Sequence, residues 1–263
     1  MARVILALVA AAGLSISFKT LPKADIERRL LAFQDTNFKR ELQLRSLFEE
    51  AGCTGDHLTE QRVKHAQAPN VICTMPGDTG SVILVGAHFD FVDRGQGVVD
   101  NWSGCSLLPS LFESLKGAAR HHTFVFAGFT NEEEGLVGSR FYVHELSKEA
   151  KQNIRAMVNL DSLGLTPTKM ETDRADKQLA QALATMAANL KLPLDVVNVH
   201  GVGRSDSDSF QDSKIPTINI HSVTTETFPI LHTPRDRMNA IHLDDYYNTY
   251  LLLRAYLAYL DQL

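Results

Sequence analysis

Two histidines and a set of carboxylates recur along this chain in a pattern that could hold metal ions. His88 and Asp90 lie in His88-Phe89-Asp90, and Asp100 follows shortly after. Glu132 and Glu133 come next within Asn131-Glu132-Glu133-Glu134-Gly135, then Asp161, and then His232 in Leu231-His232-Thr233-Pro234. Imidazole and carboxylate ligands together suit zinc, and a carboxylate-rich set also takes manganese or cobalt. One ion needs about three protein ligands and an open position for water. Five ligands serve two ions about 3.5–4 Å apart when one carboxylate bridges them. A metal-binding histidine usually has its second ring nitrogen held by a carboxylate, which Asp90 could supply. On its own, His-x-Asp serves equally well as a core histidine beside a turn, so the chemistry depends on what the fold gathers around it.

The elements flanking these residues suggest that it does gather them. Ser81 to Ala87 is short, apolar and β-branched, which reads as a strand buried on both faces and ending at His88. Residues two apart on a strand point the same way, so His88 and Asp90 project together. Apolar strands over His122–Phe129 and Ile154–Leu160 run into Glu132-Glu133 and Asp161, and further strands read over Leu194–Val199 and Ile215–Ile220. Helices read between them: one or two over Asp25–Glu50 ending at Gly52, one capped by Ser103 and kinked or delayed by Pro109, one over Asp176–Leu190, and a closing helix over Asp244–Leu260. Leu58–Val63 and Asn70–Met75 read as short strands. This alternation implies an α/β fold with helices on both faces of a mostly parallel, mixed sheet. Ligands in such sheets bind outside the carboxyl ends of the strands, where His88, Glu132, Glu133 and Asp161 all fall.

With these pieces in place the chain resembles the M28-type zinc aminopeptidases. The matching pieces are His88-Phe-Asp90, Asp100-Asn101-Trp-Ser-Gly104, Asn131-Glu132-Glu133-Glu-Gly-Leu-Val-Gly-Ser139, Asn159-Leu-Asp161 and His232-Thr-Pro-Arg-Asp236, in the family's order over roughly Leu21 to Leu263. The resemblance implies a three-layer zinc-exopeptidase fold and a co-catalytic pair of zinc ions that hydrolyse N-terminal residues from peptides through a metal-bound hydroxide. It implies that His88 and Asp161 bind one ion, that Glu133 and His232 bind the other, and that Asp100 bridges them. Glu132 takes the role of general base and Asp90 that of the carboxylate behind His88. This register aligns on Gly135-Leu136; a slip by one residue in the glutamate run is the alternative. The implied partner is a peptide with a free N-terminus. A glutaminyl-cyclase-like acyltransferase and a non-catalytic domain of the same fold are the competing readings, and the complete ligand set favours hydrolysis. The chain departs from the family in Ser205-Asp206-Ser207, where Ser-Asp-His is frequent.

Other features read more plainly. Asp206 reads as a turn or helix cap, and Phe228 and Tyr246 fall where pocket walls could form. His121, His122, His144, His200, His221 and His242 read as surface, turn or core residues. Cys53 and Cys73 could pair, while Cys105 reads as a small core residue. Asn101-Trp102-Ser103 is a formal glycosylation sequon placed against Asp100.

The composition suits a single folded enzyme. The 263 residues are 44% hydrophobic and 22% charged, with a net charge of −5, which argues against nucleic-acid binding. Residues 1–19 read as an export leader, with a basic start, a short apolar run and small residues, and residues 20–263 as one metallopeptidase domain. The expected location is therefore periplasmic or secreted, unless the leader stays uncleaved as a tether. The apolar run falls short of the roughly 20 residues a membrane span needs, so no stable span is expected. No pattern fixes an oligomeric state.

Overall fold

The computed structural model describes residues 19–198 and 203–263, so the expected leader lies outside the described residues apart from Lys19, and His200 lies outside them too. Eight strands form one mixed sheet: β1 (Leu58–Gln61), β2 (Asn70–Met75), β3 (Val82–His88), β4 (Thr123–Phe129), β5 (Ile154–Leu160), β6 (Lys169–Glu171), β7 (Asp195–Val197) and β8 (Thr217–His221), in the order β1-β2-β4-β3-β5-β8-β6-β7. The central strands β4, β3, β5 and β8 are parallel, so their carboxyl ends share one edge. The first pairings, β1 with β2 and β2 with β4, are antiparallel, and so is β6 with β8.

Side-chain alternation separates the two faces. Ile83, Val85 and Ala87 of β3 face one core, together with Phe124, Phe126, Ala156 and Val158. Leu84 faces the other with Val125, Ala127, Phe129 and Met157. The first core is covered by α1 (Lys23–Leu30), α2 (Asn37–Ala51), α3 (Ser103–Leu115), α6 (Lys177–Leu190) and α8 (Leu243–Leu260). The second is covered by α4 (Val137–Glu145) and α7 (Asp206–Gln211), while α5 (Lys148–Asn153) leads into β5. Three layers result, as the alternation implies. Among the described residues no helix is long and apolar enough to cross a membrane.

Several local expectations need correcting. The stretch Asp25–Glu50 forms two helices, and α2 ends at Gly52, whose φ of 93° suits glycine. Ser103 is not a cap, because it is already helical and its hydroxyl donates to the Val99 carbonyl at 2.7 Å. The capping oxygen belongs to Asn101, whose Oδ1 accepts from Gly104 N–H at 3.0 Å. Pro109 neither delays nor breaks α3, which is buried along nearly its whole length, so tertiary packing outweighs the lost hydrogen bond. Strand β6, with three residues and no readable period, and helices α4, α5 and α7 were not anticipated.

Cys53 and Cys73, separated by 20 positions, form a disulfide that joins the end of α2 to β2. Closing a loop of this length restricts the unfolded chain and is worth about 3 kcal/mol. A Cys53→Ser, Cys73→Ser double variant is expected to lose about that much in urea unfolding, while the buried Cys105 thiol is not engaged.

Candidate metal centre

The shared strand edge delivers the polar residues. His88 is the last residue of β3, Asp161 directly follows β5, and Glu132 and Glu133 lie just beyond β4. Asp100 arrives on a turn over Val98–Trp102 that leads into α3, and His232 on the loop between β8 and α8.

The backbone around them is held by specific partners. Both carboxylate oxygens of Asp236 accept from the chain at Asp100: Oδ1 from Val99 N–H at 2.8 Å and Oδ2 from Asp100 N–H at 3.1 Å. The loop that carries His232 therefore also anchors Asp100. Asn101 ties α3 to the segment around Asp161, donating to the Leu160 carbonyl at 2.8 Å and accepting from Ser162 N–H at 3.2 Å. Asn101 is fully buried, so its sequon is inaccessible. Gly104 packs so close that a Cβ there would lie 2.5 Å from the Leu160 carbonyl oxygen, which excludes any side chain. Asn131, Ser162 and His232 hold φ of 52°, 57° and 57°. This left-handed backbone costs about 1–2 kcal/mol per residue and is concentrated beside the site.

Arg40 is a buried cation on α2 that holds the loop beyond His88. It donates to the carbonyls of Gln34 at 3.0 Å and Phe89 at 3.2 Å and to that of Gln96, and it lies over the Phe91 ring. Burial lowers its pKa to about 10, with Asp236, Asp90 and Asp100 opposing the shift, so it stays charged at neutral pH.

The side chains converge as two overlapping groups. His88 Nε2 lies 3.3 Å from Asp100 Oδ1 and 3.5 Å from Asp161 Oδ1. His232 Nε2 lies 3.0 Å from both Asp100 Oδ2 and Glu133 Oε2. The two oxygens of Asp100 are thus divided between the two histidines. On the far side of the imidazole, His88 Nδ1 faces Asp90, 3.2 Å from its carbonyl and 3.5 Å from Oδ1. The Asp90 carboxylate also accepts from Glu132 N–H at 2.9 Å and Glu133 N–H at 3.1 Å. One residue therefore orients His88 and both glutamates. Glu134 is exposed, whereas Glu133 faces His232.

The carboxylates and imidazoles of the cluster shift one another strongly. Burial pushes Glu132 up to about 10, helped by Asp206, Asp161 and Asp100 and opposed by His88. Burial also raises Glu133. Hydrogen bonds to Asp100 and Glu133 push His232 up to about 10. Burial disfavours a charged His88, but Glu132, Asp100, Asp161 and Asp90 outweigh it and hold the ring well above its ordinary value. Asp100 moves the other way: burial would raise it, yet His232 and His88 hold it far below the usual range. Glu133 Oε1 is buried without a hydrogen-bond partner among the described residues. His88, Glu132 and Asp161, and separately His88, Asp100 and Glu133, bring one ligand atom each within 4.8 Å of one another. Hard oxygen and imidazole donors so arranged fit a divalent cation.

A sequence profile of peptidase family M28 matches residues 70–257, which carry all seven of these side chains. The chain belongs to this family. Leupeptin-inactivating enzyme 1 of Streptomyces exfoliatus is 32% identical over 156 residues, covering 58% of this chain and 35% of that protein. The chain therefore aligns with only about a third of that relative's length. The M28 chain also superposes on the LapA aminopeptidase of Legionella pneumophila with a TM-score of 0.81 at 24% identity, covering 91% and 72% of the two chains, a likeness of fold. BSAP, a zinc aminopeptidase from Bacillus subtilis, superposes with a TM-score of 0.66 at 26% identity over 72% of this chain and 49% of that one.

A cleft of about 630 Å³ opens over the cluster of the M28 chain, lined at one end by His88, Asp100, Glu132, Glu133 and Asp161. Phe228 lines it as anticipated, whereas Tyr246 is a core residue whose hydroxyl donates to the Ser103 carbonyl at 2.7 Å. Sequence reasoning missed two residues here. Asp206 is not the cap of α7: Ser205 precedes the helix, and Ser205 N–H donates to Asp208 at 2.8 Å. The Asp206 carboxyl is buried behind the cluster, and burial raises it to about 7, partly offset by His88. His221, read as an ordinary histidine, ends β8 on the cleft wall. Its position at a parallel strand's carboxyl end, like that of His88, was the available signal.

Proposed function

We propose that this chain is a metallo-aminopeptidase that uses two zinc ions to hydrolyse N-terminal residues from peptides with a free α-amino group. His88 and Asp161 would hold one ion, Glu133 and His232 would hold the other, and Asp100 would be shared between them. The observation that carries this reading is the division of Asp100, with Oδ1 3.3 Å from His88 and Oδ2 3.0 Å from His232. Manganese or cobalt would be accepted by the same donors. When bound, the ions supply Lewis acidity, lowering the pKa of water and polarising the scissile carbonyl.

The chain's own residues do the rest. Glu132, aimed by the hydrogen bond from its own N–H to Asp90 and held ionised by the positive charge that bound dications would bring, takes the proton of the attacking water on a carboxylate oxygen. It then returns that proton to the nitrogen of the leaving amine. The acidic cluster attracts the substrate's α-ammonium group, which favours a free N-terminus over an acylated one. Asp90 keeps His88 and both glutamates in register, so the general base and the ligand beside it face different ways.

The test is a panel of aminoacyl 4-nitroanilides assayed with chelator and after zinc is restored. Hydrolysis is expected to vanish when the metal is removed and to return with zinc, and N-acetylated substrates are expected to stay uncut. Undiminished turnover in metal-free protein, verified by metal analysis, would overturn the reading.

A further inference from the structure

The cleft continues past the metal-type cluster along an unusually polar wall. Strands β8 and β6 pair antiparallel, with Lys169 opposite His221 and Met170 opposite Ile220. Ile218, Ile220 and Met170 turn into the core, so Asn219, His221, Lys169 and Glu171 share the other face, and all four line the cleft. A hydrogen-bonded row crosses three strands there. Asn159 of β5 donates to Asn219 Oδ1 at 2.9 Å, and Asn219 donates to Glu171 Oε1 at 2.5 Å. The wall begins one strand beyond Asp161, whose charge acts on both His221 and Glu171.

His221 is the informative member. Its Nδ1 accepts from Val223 N–H at 3.0 Å, which fixes the proton on Nε2. The residue is 6% exposed, and Nε2 has no hydrogen-bond partner among the described residues. Burial, with Lys169 nearby, lowers the ring to about 4, so it is a neutral donor at working pH. A buried donor left unmet is costly, and a substrate acceptor placed there is correspondingly favoured. Glu171 offers the complementary acceptor, since a carboxylate has lone pairs to spare beyond the one Asn219 uses.

Charge narrows the choice. The wall carries Glu171 on one side and Lys169 and Arg174 on the other, with Lys169 paired to Asp195 at 2.6 Å and Arg174 to Asp208 at 3.4 Å. A basic head group has no acceptor for His221 Nε2–H, an aliphatic side chain leaves that donor unmet as well, and an acidic one faces the Glu171 carboxyl.

We propose that the face formed by Glu171, Asn219 and His221 receives the side chain of the substrate's N-terminal residue and selects an uncharged hydrogen-bonding group. The best match is the carboxamide of glutamine or asparagine, its carbonyl accepting from His221 Nε2 and its amide donating to Glu171. This selectivity rests on the aminopeptidase reading above.

Zinc-loaded protein assayed for nitroaniline release from the Gln, Asn, Leu, Lys and Glu 4-nitroanilides tests it. Gln or Asn is expected to exceed Leu in kcat/KM by about tenfold or more. His221→Phe and, independently, Glu171→Leu are expected to shift the Gln-to-Leu ratio about tenfold toward Leu, with Leu hydrolysis itself retained as evidence of a folded enzyme. A wild-type preference for Leu, Lys or Glu overturns the subsite, as does a ratio unchanged in both variants. In those outcomes the aminopeptidase reading survives. No release from any substrate overturns that reading and the subsite with it.

Discussion

Glu132→Gln is expected to keep its metal and lose its turnover, with kcat falling about 10²–10⁴-fold. The substitution is nearly isosteric and leaves in place the backbone hydrogen bond from residue 132 to Asp90, which sets the direction of the side chain. The carboxamide cannot accept the water's proton and release it to the leaving amine, so only the proton transfer is removed. Metal content measured beside kcat separates this from damage to the site. Activity equal to the wild type would sink the assignment of the base. Glu133→Gln is the informative contrast, because Glu133 Oε2 lies 3.0 Å from His232 and its loss is expected in metal affinity first.

The sequence made the cluster legible because its residues occupy positions that the fold's periodicity exposes. His88 and Asp161 end apolar runs, and a buried parallel strand announces itself through its composition. Asp100 and His232 lie on irregular loops, so only their place in the run of family motifs identified them. The supports of the cluster were harder to see. Arg40 sits on an amphipathic helix far upstream and binds main-chain carbonyls, which leave no trace in side-chain pattern. Asp236 ends the His232-Thr-Pro-Arg-Asp236 motif, yet nothing in its type tells that it caps the backbone of Asp100. The polar wall of β6 and β8 escaped notice because β6 has three residues, too few to show an alternation. Ser103 was a reasonable cap by type but lost the role to Asn101, whose non-helical backbone lets its side chain reach Gly104.

Asp100→Ala is expected to have the largest effect on metal content, because the two Asp100 oxygens lie 3.3 and 3.0 Å from the two histidine rings. Removing Asp100 would take a ligand from each of the two proposed ions and would also free His88 and His232 from the carboxylate that holds them toward one another. Bound zinc is expected to fall below two ions per chain, and kcat/KM to fall about 10³-fold or more, given that Lewis-acid stabilisation is worth several kcal/mol. A general loss of fold would produce the same activity, so Asp236→Asn serves as the graded comparison. The Asp236 carboxylate holds the backbone N–H groups of Val99 and Asp100 rather than sitting among the ligand atoms, and changes in such supporting groups cost about 10–100-fold in metal affinity. The proposed order is therefore strict: Asp100→Ala loses stoichiometry, whereas Asp236→Asn loses affinity at unchanged stoichiometry when zinc is saturating. Two ions bound at saturation in folded Asp100→Ala would refute the bridge and leave two separate sites in its place.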